Sequence, residues 1–237
     1  MRLACQKPRE KASYLEVLKI FFNFTFHQNL SSFSGSSVIS KIKRNPRERI
    51  LSFYSQDEIS KLISSINSST AVGKRNYAIV LLAAITGLRA SDIVNLKFEN
   101  IDWGNKTLKF TQVKIQKELV QPFPDEIFYA ILDYLKNGRP KSDSKYLFVR
   151  HKIPFDKISP SVLSVYTTAY FKEAGIDISS RKHGLHSLRH SFANNMLHNN
   201  ISLQNISASL GHSVISTTTM YTNIDINTLK LLSLEVD

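Results

Sequence analysis

Hydrophobic spacing predicts a mainly α-helical chain that carries one small antiparallel β-sheet. Apolar residues recur at three- and four-residue intervals in several long stretches. Alternating, strand-like segments occur only between about residues 97 and 123. Capping residues at one end and glycines at the other frame most of the remaining segments, as helix boundaries require.

The elements follow in order. Residues 13–29 hold Leu15, Leu18, Phe21, Phe22 and Phe26 at helical spacing, and the stretch SSFSGSS at 31–37 then breaks the pattern. A short helix and a flexible linker are expected there. Ser55 and Glu58 form a capping-box pair ahead of Ile59, Leu62 and Ile63, which opens the main domain. The apolar run YAIVLLAAIT predicts a buried helix that stops at Gly87, with a second helix over residues 90–96. WGNK marks a tight turn before TLKFT, and IQK separates that run from ELVQPF, so two or three short antiparallel strands are expected. Beyond them the pattern is helical again: residues 124–135, a helix opened by Ser159-Pro160 and ended by Gly175, then residues 186–198 and 202–210. A last apolar segment, residues 227–234, is suited to pack in cis or to dock on a neighbouring copy.

A chain of 237 residues with 42% apolar content accommodates one large domain and a small appendage. The net charge of +12 suits a polyanionic partner. Lys41, Lys43, Arg44, Arg47 and Arg49 crowd into one polar segment, and Lys7, Arg9 and Lys11 lie near the start. These basic groups are candidates for phosphate contact, against the plainer reading of a solvated basic face. No apolar run reaches membrane-spanning length, the first residues lack an apolar signal core, and Cys5 is the only cysteine. A cytoplasmic, reduced chain is expected.

Six polar residues have the order and chemistry of phosphodiester exchange through a tyrosine. Arg89 and Arg189 are suited to grip non-bridging phosphate oxygens and neutralise the charge that grows on attack. Tyr221 is the candidate nucleophile; its hydroxyl ionises only near pH 10 unless a base or cationic surroundings assist. His186 and His212 are candidates for that assistance, and Lys114 for the acid that protonates the departing 5′ oxygen. Asp92, three residues after Arg89, lies within reach to hold its guanidinium. Arg89 could equally cap the carbonyls that end the preceding helix. Such chemistry needs neither nucleotide nor metal. Gly73-Lys74 lacks the upstream glycine of a phosphate-binding loop, since Ser68 stands there. His183, His186 and His190 lack a carboxylate or thiolate at metal-ligand spacing.

The settings of these residues, TGLRASDI around Arg89, VKIQKELVQPF around Lys114, HSLRHSFA from His186 and LGHSVISTTTMY ending at Tyr221, resemble the tyrosine recombinase (phage-type integrase) family. The resemblance extends from about residue 46 to the C-terminus, which implies a short N-terminal helical segment with a basic linker over residues 1–45 and a catalytic domain over residues 46–237. It implies the family's DNA breaking and rejoining fold, with Arg89, Lys114, His186, Arg189, His212 and Tyr221 catalytic and Asp92 supporting. Lys117 is the fallback for Lys114, because this turn lacks the family's common glycine. The implied partners are double-stranded DNA, a tetramer of the chain on two duplexes, and accessory DNA-bending or directionality factors. The implied region ahead of the catalytic part, a helical DNA-clamping domain, is represented by about 45 residues and one helix. A DNA-binding remnant without turnover and a metal-free phosphodiesterase using His186 and His212, with Tyr221 structural, are the rival readings.

Overall fold

The computed structural model describes residues 8–39 and 53–211. The basic segment from Lys41 to Arg49, with His212, Tyr221 and the segment 227–234, lies outside the described residues, as do Cys5 and Lys7. The chain divides into two compact units, Met1–Arg49 and Ile50–Asp237.

In the first unit α1 spans Pro8–His27. The segment expected to be a linker instead forms a short helix, α2, over Gly35–Val38. Local hydrogen bonding explains the difference. Ser34 caps α2 by accepting from the Ser37 N–H at 3.2 Å, and the Asn23 side chain of α1 accepts from the Ser36 N–H at 3.2 Å. A serine-rich stretch reads as a linker because serine competes for backbone bonds, and here that competition closes a helical turn against α1. Phe22 and Phe33 pack with ring centroids 5.4 Å apart.

In the second unit α3 (Gln56–Ser64) starts at the expected capping box: the Ser55 hydroxyl accepts from the Glu58 N–H at 3.2 Å, and Glu58 accepts from the Ser55 N–H at 2.9 Å. The central helix α4 spans Ala71–Thr86 and begins six residues before the apolar run, because Thr70 caps it by accepting from the Gly73 N–H at 3.0 Å. Arg75 and Asn76 are buried in that added turn and a half. The Arg75 guanidinium donates to the Asn76 side chain and to the Val149 carbonyl, so polar residues sit inside without orphaned groups.

After α5 (Ala90–Asn95) and a 3₁₀ turn at Phe98–Asn100, three strands form one antiparallel sheet in the order β1 (Ile101–Asp102), β2 (Thr107–Thr111), β3 (Glu118–Pro122). The register pairs Phe110 with Leu119 and Thr111 with Glu118. Leu108 and Phe110 point inward while Lys109 and Thr111 face solvent, the alternation expected of a sheet with one covered face.

Helices α6 (Asp125–Asn137), α7 (Pro160–Glu173), α8 (Leu185–His198) and α9 (Leu203–Leu210) complete the described part of the unit. Ser159 and Ser202 cap α7 and α9 by accepting from the Val162 and Asn205 N–H groups. Leu62, Ile79, Leu82, Leu88, Ile93, Leu108, Tyr134, Phe148 and Phe171 fill the core around α4. Between α6 and α7 the chain has no regular element, yet Leu147, Phe148 and Val149 are fully buried. Arg139 substitutes for secondary structure there, donating to the carbonyls of Ser144, Tyr146 and Leu147. Among the described residues no helix is long and apolar enough to cross a membrane.

Candidate active site

The ends of α4 and α9, the start of α5, the β2–β3 turn and the first turns of α8 share one region, tied together by polar side chains. Helix α4 ends at Gly87, whose φ of +64° is left-handed. A side chain at Gly87 would also strike Phe192 of α8, at 2.5 Å from Cβ, so glycine is required both for the turn and for the approach. Two residues on, Arg89 is extended and stands at the N-cap position of α5, its side chain making no capping bond.

The alternative role for Arg89, binding the carbonyls that end α4, is filled by another residue. Arg189 of α8 donates to the Gly87 carbonyl at 2.7 Å and to the Leu210 carbonyl at 2.9 Å. It is almost wholly buried, and both acceptors lie where helix dipoles present negative ends. The Arg89 Nη1 instead lies 3.8 Å from Asp92 Oδ2, as the i, i+3 spacing anticipated.

Asp92 does more than face Arg89. Its Oδ1 accepts from the Val113 N–H at 2.9 Å, one residue before Lys114, while Oδ2 is buried without a hydrogen bond. Burial pushes the Asp92 carboxyl above its ordinary range, opposed by the Val113 N–H and then by Arg89 and Arg189. One carboxylate therefore links the Arg89 segment to the lysine turn.

That turn is closed by two backbone bonds, Gln112 N–H to the Lys117 carbonyl and Gln116 N–H to the Gln112 carbonyl, each 2.9 Å. The missing glycine has a structural counterpart: Gln116 adopts the left-handed conformation at φ 53°. Lys114 and Lys117 are both exposed.

His186 stands at the start of α8. The segment before it is anchored by Arg181, which forms a bidentate pair with Glu58 at 2.6 and 3.1 Å, and by Tyr54, whose hydroxyl donates to the Lys182 carbonyl at 3.0 Å. The capping-box glutamate thus also fixes the approach to α8. His186 Nε2 lies 3.0 Å from His190 Nε2, so one ring donates and the other accepts, and the pair resists double protonation. Partial desolvation pushes the His186 imidazole below its usual range, and four cations, Arg189, Lys182, Arg89 and Lys114, push in the same direction. A neutral imidazole in a cationic pocket can accept a proton from a weakly acidic hydroxyl.

This field is testable without substrate. An NMR titration should give His186 a midpoint below the ordinary value of about 6.5, and Lys182→Met or added salt should raise it. The unfolded chain takes up this proton first as pH falls, so the group's contribution lowers stability below the unfolded midpoint and leaves it unaffected above. A midpoint at or above the ordinary value would contradict the four-cation field.

Of the predicted residues, Arg89, Asp92, Lys114, His186 and Arg189 converge, while His212, Tyr221 and the Lys41–Arg49 basic residues fall outside the described residues. Lys114 is among the cations that lower the His186 imidazole. Among the described residues no three His, Cys, Asp or Glu side chains sit together as metal ligands. Sequence reading missed Gln112, Lys182 and His190 as parts of the site. Gln112 carried a readable signal: it continues the inward register of Leu108 and Phe110, where a polar side chain must find partners.

Gly211, the residue before His212, ends α9 at φ 62°, and a Cβ there would meet the Gln112 amide at 2.2 Å. Gly211→Ala should lower stability by roughly 1–2 kcal/mol from the left-handed backbone alone. Thermal denaturation would show it, and an unchanged midpoint would place the α9 end elsewhere.

The sequence profile of the phage integrase family matches residues 52–227. A putative integrase/recombinase of Sinorhizobium fredii, y4rA, is 36% identical over 180 residues, covering 76% of this chain but 43% of that protein. The tyrosine recombinase XerA of Pyrococcus furiosus is 32% identical over 219 residues, covering 91% of this chain and 70% of that one. A crystal structure of the XerH site-specific recombinase, in a post-cleavage complex with a palindromic difH substrate, superposes with a TM-score of 0.73 at 21% identity, over 92% of this chain and 64% of that chain. The mainly helical fold with its three-stranded sheet is that of the tyrosine recombinase catalytic domain. By the match over most of its length, and by relatives alike across the same region, the chain belongs to the phage integrase family.

Proposed function

We propose that this chain is a tyrosine-type site-specific recombinase, which cuts and rejoins double-stranded DNA through a 3′-phosphotyrosyl intermediate, with residues 46–237 as its catalytic domain. The observation that carries the reading is the joining of three stretches of sequence in one region: Arg89 beside Asp92, the Lys114 turn hung on the same carboxylate, and the His186 helix, whose Arg189 is tied to the Gly87 and Leu210 carbonyls. Cations gathered around a base, with a supporting carboxylate behind them, suit an anion that becomes more negative during reaction.

In the proposed reaction Arg89 and Arg189 hold the scissile phosphate. The Tyr221 Oη attacks phosphorus, forming the 3′-phosphotyrosyl bond and giving its proton to His186. The bond from phosphorus to the 5′ oxygen breaks, and Lys114 protonates that oxygen to leave a free hydroxyl. His212 adds a donor to the transferring phosphate. Rejoining reverses these steps with the 5′ hydroxyl of a partner duplex, so bond energy is conserved without a nucleotide.

Lys114 is preferred to Lys117 because it directly follows Val113, whose N–H is held by Asp92, and because its charge acts on His186. Lys41, Lys43, Arg44, Arg47 and Arg49 are assigned to phosphate contacts along the duplex. Four copies acting on two duplexes, in the cytoplasm and with accessory DNA-bending factors, complete the reading; family membership and the DNA-bound XerH complex support it.

The test is incubation with nicked duplexes drawn from the genomic flanks of the reading frame. The expected product is a denaturant-resistant protein–DNA band and a free 5′ hydroxyl, undiminished by EDTA and without ATP. Hydrolysed ends that persist in Tyr221→Phe would instead assign a phosphodiesterase. A mobility shift with no adduct would leave a DNA binder without turnover.

A further inference from the structure

We infer that Gln112 is a positioning residue, which holds the Arg89 guanidinium and locks the lysine turn to the end of α9. The inference rests on the proposed recombinase reading for its kinetic consequence, though not for its geometry. Gln112 directly follows β2, and its side chain is fully buried between Arg89 and the end of α9.

The orientation of its amide follows from its neighbours. With the oxygen turned toward Arg89, it accepts from Nη1 at 3.2 Å while its nitrogen donates to the Gly211 carbonyl at 3.1 Å. Turned the other way, the nitrogen makes one longer contact, 3.3 Å to the Leu210 carbonyl, which already accepts from Arg189. That orientation also sets the oxygen against a carbonyl and the nitrogen against a guanidinium that can only donate. The first arrangement satisfies both ends of the amide, as burial demands.

Three consecutive residues then have distinct tasks. Gln112 joins Arg89 to the left-handed end of α9, the Val113 N–H binds Asp92, and Lys114 carries the ammonium. Arg89 is held from two sides, by the Asp92 carboxylate at 3.8 Å and the Gln112 oxygen at 3.2 Å. A neutral acceptor has an advantage over a second carboxylate: it orients the guanidinium without cancelling the charge a phosphate must meet. Gly211 fits the same design, because any larger residue would occupy the space of the amide.

Gln112→Met, similar in length but without either hydrogen bond, tests the inference. In the free chain, nitrogen-15 NMR of arginine side chains should show a slowly rotating Arg89 guanidinium in the wild type, averaged in Gln112→Met and restored in Gln112→Glu, which keeps an acceptor there. Single-turnover adduct formation should slow by about 10–100-fold in Gln112→Met with DNA affinity nearly unchanged, the scale seen when supporting partners of functional groups are removed. Adding Gln112→Met to Arg89→Ala should slow the reaction by clearly less than Gln112→Met does alone, since the Arg89 part of its role is already lost and only the loosened lysine turn remains.

An Arg89 signal identical in wild type and Gln112→Met would overturn the inference, as would slowing that is fully additive with Arg89→Ala. If Gln112→Met does not fold, Gln112→Glu decides: it should keep the slow signal, and its loss there would overturn the inference. A wild type that forms no adduct but loses the slow Arg89 signal in Gln112→Met would sink the recombinase reading and leave the positioning role standing.

Discussion

Arg189→Ala should abolish measurable strand cleavage and weaken the fold as well, because the proposed reaction uses this side chain as a phosphate ligand and the fold uses it as a structural tie. Loss of one preorganised donor to a developing oxyanion costs about 10²–10³-fold in rate, and Arg189 also brings a full charge. At least a 10³-fold fall in single-turnover adduct formation is therefore expected, as an order-of-magnitude estimate. The same change leaves the Gly87 and Leu210 carbonyls without their Arg189 donor in a buried place. Unpaired groups of this kind cost about 1–3 kcal/mol each. Arg189→Lys keeps the charge and can satisfy one carbonyl, so it should recover part of the stability but little of the rate, since a compact ammonium cannot reproduce a fork. An Arg189→Ala protein that melts like wild type and still cleaves would remove this residue from both roles.

Lys114 offers a second large effect with a chemical control. An alkoxide leaves poorly from phosphorus, so Lys114→Ala should slow cleavage of normal DNA by about 10²–10⁴-fold, the usual contribution of a positioned acid. A substrate with sulfur in place of the bridging 5′ oxygen releases a thiolate, which is stable near neutrality and needs no proton. On that substrate Lys114→Ala should cleave at nearly the wild-type rate. Lys117→Ala should behave like wild type on both. Rescue of Lys117→Ala rather than Lys114→Ala would move the acid three residues along, to the position that makes the backbone bond closing the turn.

Local chemistry explains why so much of this molecule was readable. Ser55 with Glu58, Ser159 with Pro160, and Ser202 each announce a helix start within four residues, and all three start helices where expected. The strands between residues 97 and 123 were legible because inward and outward residues alternate. The early start of α4 was not, since Lys74, Arg75 and Asn76 interrupt the apolar run, and the partner that makes Arg75 tolerable, the Val149 carbonyl, lies 74 residues away. The packed segment between α6 and α7 was silent for the same reason: it is ordered by Arg139 rather than by a periodic pattern. In the site, the side chains proposed as reactive were singled out by type and order. Their supports were not, because the bonds from Arg189 to Gly87 and from Val113 to Asp92 are tertiary and leave no mark on spacing.

The central claim is that Tyr221 becomes covalently joined to DNA. The most direct measurement is to trap the adduct on a nicked duplex, denature it, digest protein and DNA, and locate the nucleotide-bearing peptide by mass spectrometry. The account predicts a phosphotyrosyl link at Tyr221, with a free 5′ hydroxyl on the released strand. A nucleotide on any other residue, or cleaved DNA with no modified peptide, would contradict it.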